Sequence, residues 1–165
     1  MIRAMRLMGA GALPLFLGFL LNRLLLAFPA AGLVRVPLSV LLLFAWGYFA
    51  FRLSDSLQNA VLQAFLLCAF GLLMLALTLY QELVMGSYWG NVLGYGTQMF
   101  FLPWLSLAAF MVAPFTNIIR IWPLYIIIWA GLFLTGCVGC IRKQYRKPSA
   151  AQAGKGMEVN GMRRP

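Results

Sequence analysis

The sequence predicts an all-α polytopic integral membrane protein, built as a bundle of about five transmembrane helices. Of its 165 residues, 63% are hydrophobic and 10% are charged, whereas soluble domains carry roughly 45–50% apolar and about 25% charged residues. The apolar residues form long uncharged runs without the short alternating pattern of a transmembrane barrel. Because backbone groups in lipid need partners within their own segment, these runs indicate helices.

Two apolar segments open the chain and differ in length. The first covers residues 7–28 and is interrupted near its end by Asn22 and Arg23. The second, 36–51, has 16 residues, slightly fewer than the roughly 17–25 that a spanning helix needs. We predict that it crosses with local thinning of the bilayer, while Arg52 extends toward the headgroups. The alternative is four spans plus one re-entrant segment, in which 36–51 dips into the membrane and returns.

Two further apolar segments lie in the middle of the chain. The third, 57–84, follows the Ser-Asp-Ser sequence 54–56, which we interpret as a helix N-cap signal. The fourth covers residues 97–116. Prolines inside the first and fourth segments, Pro14 and Pro103, are expected to kink their helices because a proline has no backbone N–H to donate.

The fifth segment, 121–141, has the clearest pattern of a membrane span. Trp122 and Tyr125 lie near its start, and Arg142 and Lys143 follow its end. Aromatic side chains favour one membrane interface, and basic side chains anchor the cytoplasmic one. We therefore divide the chain into a transmembrane helical bundle over residues 1–141 and a tail that begins at residue 142.

The tail, residues 142–165, is polar and basic, and it has no periodic apolar face. Its composition predicts a disordered cytoplasmic segment. Four basic residues near the bilayer are predicted to anchor the chain through anionic lipid headgroups: Arg142, Lys143, Arg146 and Lys147. Nucleic acid is not a predicted partner, because no aromatic-basic motif or binding fold accompanies the charge.

The distribution of basic residues orients the C-terminus but not the N-terminus. With five spans and a cytoplasmic C-terminus, six basic residues near the spans lie inside and four lie outside. If segment 36–51 returns without crossing, the count is again six against four. Both topologies place the C-terminus in the cytoplasm, and we predict the plasma (cytoplasmic) membrane as the location.

A glycine-rich stretch, GSYWGNVLGYG over residues 86–96, separates the third and fourth segments. Its four-residue glycine spacing is compatible with a helix-packing row, but each glycine costs a helix about 1 kcal/mol relative to alanine. We favour a bent loop or short surface helix at the membrane boundary. Polar residues around it form the candidate ligand site of the chain: Glu82, Asn91, Thr97 and Gln98.

Small residues on the fifth segment predict a helix-packing seam. They recur at four-residue spacing, which lets two transmembrane backbones approach closely, and they are Gly131, Thr135, Gly139 and the adjacent Gly136. We expect this seam to pack within the bundle or against another membrane subunit. A membrane-protein partner or a homo-oligomer would use the same residues.

Reactive groups are scarce in the sequence. Cys137 and Cys140 form a C-x-x-C pair that could carry thiol redox chemistry, but with Cys68 and no histidine the chain lacks the ligands of a usual structural zinc site. Neither Asp55 nor Glu82 has a second carboxylate at helical spacing, so a paired acid–base device is absent. We predict no catalytic residue, no metal and no cofactor, and a protein that is not an enzyme.

Three functional hypotheses follow from these features. The first is a non-catalytic membrane subunit or assembly factor, indicated by the small-residue seam and the scarcity of reactive groups. The alternative is a small-solute transporter, or the substrate-binding membrane subunit of one, with its site beside the glycine-rich stretch. The third is a thiol redox membrane protein that uses Cys137 and Cys140.

Overall fold

The computed structural model describes residues 2–28, 34–55, 59–115 and 121–161, with side chains described from Ala4 to Tyr145 within those ranges. Across the described chain the secondary structure is helical. The helices are α1 (Ile2–Ala10), α2 (Leu13–Ala27), α3 (Arg35–Leu53), α4 (Ala60–Leu79), α5 (Val92–Val112) and α6 (Ile121–Gly161). A π-helical turn, Tyr80–Val84, extends α4, and a 3₁₀ turn, Ala113–Phe115, extends α5.

The predicted all-α bundle with five long apolar helices is confirmed. Five helical stretches among the described residues are long and apolar enough to cross a membrane: Ala4–Ala27, Arg35–Leu53, Ala60–Val84, Val92–Phe115 and Ile121–Tyr145. The second stretch has 19 residues and not the 16 of segment 36–51, because the helix includes the arginine at its start and the one near its end. That length is sufficient for a span.

The first span is divided at Gly11, where the chain packs tightly. A side chain on Gly11 would collide with the carbonyl oxygen of Leu67 on α4. Helix α2 restarts immediately afterward, so Pro14 lies in its first turn, where a missing N–H costs little. The sequence predicted a kink at Pro14 within one helix. The structure instead has a break between α1 and α2, just before Pro14. Pro103, by contrast, does lie inside a helix, α5.

The N-cap of α4 is Asn59, whose side-chain oxygen accepts a hydrogen bond of 2.9 Å from the backbone N–H of Val61. The Ser-Asp-Ser sequence 54–56 does not have the predicted capping role, since Ser54 ends α3. The buried amide of Gln63 instead holds Asp55, accepting from its N–H at 2.5 Å and donating to its carbonyl at 2.8 Å. These two bonds fasten the end of α3 to the start of α4.

The packing contacts of α6 define its direction relative to α3. The indole N–H of Trp46 donates to the carbonyl of Leu132 at 3.1 Å, and Lys143 Nζ donates to the carbonyl of Arg52 at 2.9 Å. Residue numbers on the two helices rise together along the interface. Helices α3 and α6 are therefore parallel.

Helix α6 packs against α4 in the opposite sense. Trp129 Nε1 donates to the carbonyl of Cys68 at 3.3 Å, whereas a Cβ on Gly136, farther along α6, would lie 3.8 Å from the Cβ of Ala64, earlier on α4. The two helices are antiparallel. If all five candidate spans crossed the membrane in alternating directions, α4 and α6, the third and fifth spans, would be parallel.

The chain therefore leaves α4 and enters α6 at the same end of the bundle, where Tyr125 of α6 lies close enough to Tyr88 and Glu82, beyond the end of α4, to interact with them electrostatically. Helix α5, which lies between them in the sequence, connects two helix ends at the same end of the bundle. The directions of α4 and α6 thus differ from those of five strictly alternating spans.

Helix α6 continues beyond its apolar span to Gly161, through most of the segment 142–165 that composition predicts to be disordered. Disorder of this tail in solution stays a prediction. The side chains of Arg146 and Lys147 lie outside the described ones.

Topology reporters inserted after residues 54, 90 and 115 and at the C-terminus test these helix directions. We expect the reporters at 54 and at the C-terminus on one side of the membrane, and those at 90 and 115 on the other. Five strictly alternating spans would instead place the C-terminal reporter on the side of the reporter at 90, and that result would contradict the antiparallel packing of α4 and α6.

Candidate functional site

The connection between α4 and α5 is organised by the side chain of Gln81. Gln81 is fully buried in the π-helical turn, and its Oε1 accepts a hydrogen bond of 3.0 Å from the backbone N–H of Trp89. Its own carbonyl accepts from the N–H of Ser87 at 3.2 Å. Gly86 permits the reversal of the chain with a φ of 64°, a conformation that glycine adopts without steric cost. Residues 85–91 thus form the bent loop that the sequence predicted.

Glu82, the first candidate ligand residue, accepts a hydrogen bond of 2.6 Å from the hydroxyl of Tyr88. Burial, followed by this hydrogen bond to Glu82, raises the pKa of the Tyr88 hydroxyl above its ordinary value. Tyr88 therefore keeps its proton and remains a donor at neutral pH.

Asn91 and Thr97, two further candidate ligand residues, bond to the first turns of α5, and Asn91 is the N-cap of that helix. Asn91 Oδ1 accepts a hydrogen bond of 3.0 Å from the backbone N–H of Gly94, and Thr97 Oγ1 donates to the carbonyl of Gly94 at 2.9 Å. A side chain on Gly94 would collide with the backbone of Trp89, so glycine is needed where the loop lies against the helix. Gln98 is half-buried on the same helix. The bonds of Asn91 and Thr97 maintain the local fold and do not converge on Glu82.

Gln81 was not among the ligand residues predicted from the sequence. Its amide Nε2 is buried and has no hydrogen-bond partner among the described residues, as is also true of the indole nitrogen of Trp104. A polar amide at the end of a long apolar run is the signal that could have identified Gln81, since polar groups at membrane depth are costly and usually have a role. The predicted ligand site instead included the charged neighbour of Gln81, Glu82.

The small residues of α6 divide among three environments. Gly139 touches α3, where a side chain would collide with the carbonyl oxygen of Gly47. Gly136 faces α4, with Ala64 the nearest neighbour of a Cβ built on it. Thr135 Oγ1 donates to the carbonyl of Gly131 at 2.7 Å within the helix, and no atom lies within 4 Å of a Cβ built on Gly131. Among these glycines, Gly139 is thus the one at which the backbone of α6 packs directly against the backbone of α3.

An outward-facing groove of about 890 Å³ lies between α3 and α6. We call it the α3–α6 groove. Its lining is mostly apolar and aromatic and includes the side chains of Phe44, Tyr48, Leu134, Val138, Arg142 and Tyr145. Gly47 and Gly139 also line it, so part of its floor is bare backbone.

The basic residues at the end of the α6 span have separate roles. Lys143 Nζ donates to the carbonyls of Arg52 and Ser54, which are among the unsatisfied carbonyls at the end of α3. A cation at a helix C-terminus is stabilising. Arg142 is exposed and lines the α3–α6 groove. The predicted anchor therefore contains one residue that caps α3 and one that faces outward.

The cysteines are free thiols packed between helices. Cys68 and Cys140 are buried and Cys137 is half-buried, and within the described part of the chain no group of three or more histidines, cysteines or carboxylates could hold a metal. Buried thiols in apolar surroundings react slowly, because the thiolate is the reactive form. The thiol redox hypothesis has no supporting geometry beyond the C-x-x-C spacing.

No protein-family model, no curated protein and no solved structure matches this chain. The site is therefore interpreted from its own geometry.

Substituting Gly139→Ala should lower the stability of the bundle by about 1–3 kcal/mol, because the added methyl group overpacks the contact with α3. The matched control is Gly131→Ala, where nothing lies within 4 Å of the new atom and the better helix propensity contributes up to about 1 kcal/mol of stability. Thermal unfolding in detergent measures both. Equal melting temperatures for the two variants would contradict the close α3–α6 contact.

Substituting Gln81→Leu removes the acceptor that holds Trp89 and should make the loop open more easily, by about 1 kcal/mol for one lost hydrogen bond. Hydrogen–deuterium exchange of residues 85–91 measures this opening. Gln98→Leu is the control, an identical change at a half-buried position outside the loop. If loop exchange rises equally in both variants, Gln81 is not the residue that holds the loop.

Proposed function

We propose that the protein is a non-catalytic subunit or assembly factor of a membrane complex. The observation that carries the proposal concerns its buried polar groups. The described chain buries six serine, threonine and glutamine side chains, and each makes a hydrogen bond with the backbone. They are Ser39, Ser54, Gln63, Thr78, Gln81 and Thr97. Polar groups along a solute pathway would need free donors and acceptors, whereas these hold helix ends, a loop and helix contacts.

The carboxylates support the same proposal. Asp55 and Glu82 are the acidic residues with described side chains, and they occupy opposite ends of α4. Glu82 accepts from Tyr88, and the backbone of Asp55 is held by Gln63. General acid–base catalysis needs a positioned donor or acceptor next to a reacting group, and among the described side chains no second carboxylate stands beside either residue.

We infer that the protein lies in the plasma (cytoplasmic) membrane with its C-terminus in the cytoplasm. If α5 makes no net crossing, both termini and the α3–α4 connection lie on one side. That side holds seven basic residues near the spans: Arg3, Arg6, Arg52, Arg142, Lys143, Arg146 and Lys147. The other side holds three: Arg23, Arg35 and Arg120. Seven against three is a stronger bias than six against four, and the positive side is the cytoplasmic one.

A small-solute transporter, or a substrate-binding subunit of one, is the second candidate. One observation favours it: the buried Nε2 of Gln81, which has no partner among the described residues, lies next in sequence to the hydrogen-bonded pair of Glu82 and Tyr88. A solute with a hydrogen-bond acceptor could bind there. For this candidate, Gln81→Leu and Glu82→Gln should each abolish solute binding in vesicles.

Site-specific photocrosslinking tests the subunit proposal. A photoreactive residue is introduced at one exposed apolar position on each of four helices: Phe16 on α2, Phe44 on α3, Phe110 on α5 and Leu134 on α6. A subunit should crosslink one protein reproducibly from one or two of these positions, while the others, in lipid, serve as internal controls. Crosslinks to lipid alone from all four positions, together with a monomeric mass in mild detergent, would contradict the proposal.

A further inference from the structure

We propose that the α3–α6 groove is a binding site for one anionic glycerophospholipid, with an acyl chain along its apolar walls and the phosphate on Arg142. This site is independent of the proposed role as a subunit. Its volume of about 890 Å³ lies within the roughly 300–1,000 Å³ of small-molecule sites. The groove opens on the outside of the bundle, where its exposed wall residues, such as Phe44 and Leu134, meet the bilayer.

The shape of the groove follows from the two glycines in its floor. Gly47 and Gly139 let the backbones of α3 and α6 touch, and neither glycine carries a side chain that could fill the space above the contact. Longer side chains on both helices, including Tyr48 and Val138, stand on either side of it. An unbranched hydrocarbon chain matches this narrow apolar channel, since burying each methylene contributes about 0.8 kcal/mol.

Arg142 supplies the charge at one end of the groove. It follows Gly139 by three residues, so the two lie on the same face of α6. Among the described residues Arg142 makes no ion pair, and the groove lining contains no carboxylate. A guanidinium matches the oxygens of a phosphate in bidentate geometry. Lys143, the neighbouring cation, bonds to the carbonyls of α3, and Arg142 is the basic residue that lines the groove.

The charge of the chain favours a lipid over a second copy of the protein in this groove. The formal net charge is +10 with three acidic residues in total, so two copies repel each other. Anionic lipids concentrate on the cytoplasmic leaflet and attract basic residues close to a span. Tyr145 lines the groove together with Arg142, and tyrosine is enriched at membrane interfaces.

Native mass spectrometry of the full chain in detergent tests the proposal, with phosphatidylglycerol or phosphatidylcholine added as the probe. We expect wild type to retain one phosphatidylglycerol in preference to phosphatidylcholine. Arg142→Gln should weaken phosphatidylglycerol binding by about tenfold or more, as expected for a lost charge-assisted hydrogen bond. Arg52→Gln is the matched control. It removes the same charge from an exposed residue at the same end of the bundle, outside the groove lining.

A second substitution fills the groove without changing charge. Val138→Trp should reduce the binding of both lipids, because Val138 is exposed on the groove wall and a larger side chain there occupies the acyl channel. Leu134→Trp on the same wall repeats the test if Val138→Trp does not fold, and thermal unfolding checks the fold of each variant.

Three outcomes would overturn the proposal. Equal loss of phosphatidylglycerol in Arg142→Gln and Arg52→Gln would mean that diffuse surface charge holds the lipid. Unchanged lipid binding in both tryptophan variants would place the acyl chain outside the groove. A dimeric mass in wild type that becomes monomeric in Val138→Trp would make a second copy of the chain the occupant. Crosslinking to a protein partner from other helices would be unaffected by any of these results.

Discussion

The close contact of α3 with α6 at Gly47 and Gly139 is the constraint on which the rest of the bundle depends. At this contact a side chain on either glycine would meet the backbone of the opposite helix, so the two backbones pack as closely as small-residue seams allow in membranes. The indole of Trp46 and the ammonium of Lys143 then bond across the same interface. These contacts set α3 and α6 parallel, whereas α4 and α6 are antiparallel. They also leave the α3–α6 groove above the contact.

The buried polar side chains of this bundle stabilise its fold. Each of the six buried serine, threonine and glutamine side chains bonds to backbone, because a bilayer provides no water to satisfy carbonyl and amide groups that helices leave unpaired. Gln63 joins α3 to α4, and Gln81 holds the loop before α5. An interior of this kind supports the proposals that the protein acts through its outer surface, toward a protein partner or a lipid. The uncommitted Nε2 of Gln81 is the point at which a solute site would have to be built.

Sequence reasoning identified the apolar helices and the loop between α4 and α5 but misassigned helix ends and the local roles of several polar residues. The bent loop near residues 85–91 was predictable, because glycines and interfacial aromatics are recognised within a few residues. The second span appeared too short because counting stopped at its arginines, whereas the helix runs from Arg35 to Leu53. Ser54, Asp55 and Ser56 have the composition of an N-cap, but Asn59 fills that role. The candidate residues Asn91 and Thr97 both bond to the backbone of α5, Asn91 as its N-cap and Thr97 within its first turns. Residue spacing does not distinguish these local roles from ligand binding.

The sequence by itself determined the environment and the elements: a membrane protein, five long apolar helices and a basic C-terminal end. These properties follow from composition, because each apolar run is solvated by lipid independently of the others. Tertiary structure alone decided the direction of each helix, the division of the α6 glycines between α3 and α4, the separate roles of Arg142 and Lys143, and the position of the α3–α6 groove. The physical reason is that lipid does not discriminate among apolar faces, so the pairing of helices rests on a few backbone approaches and hydrogen bonds between residues far apart in the chain.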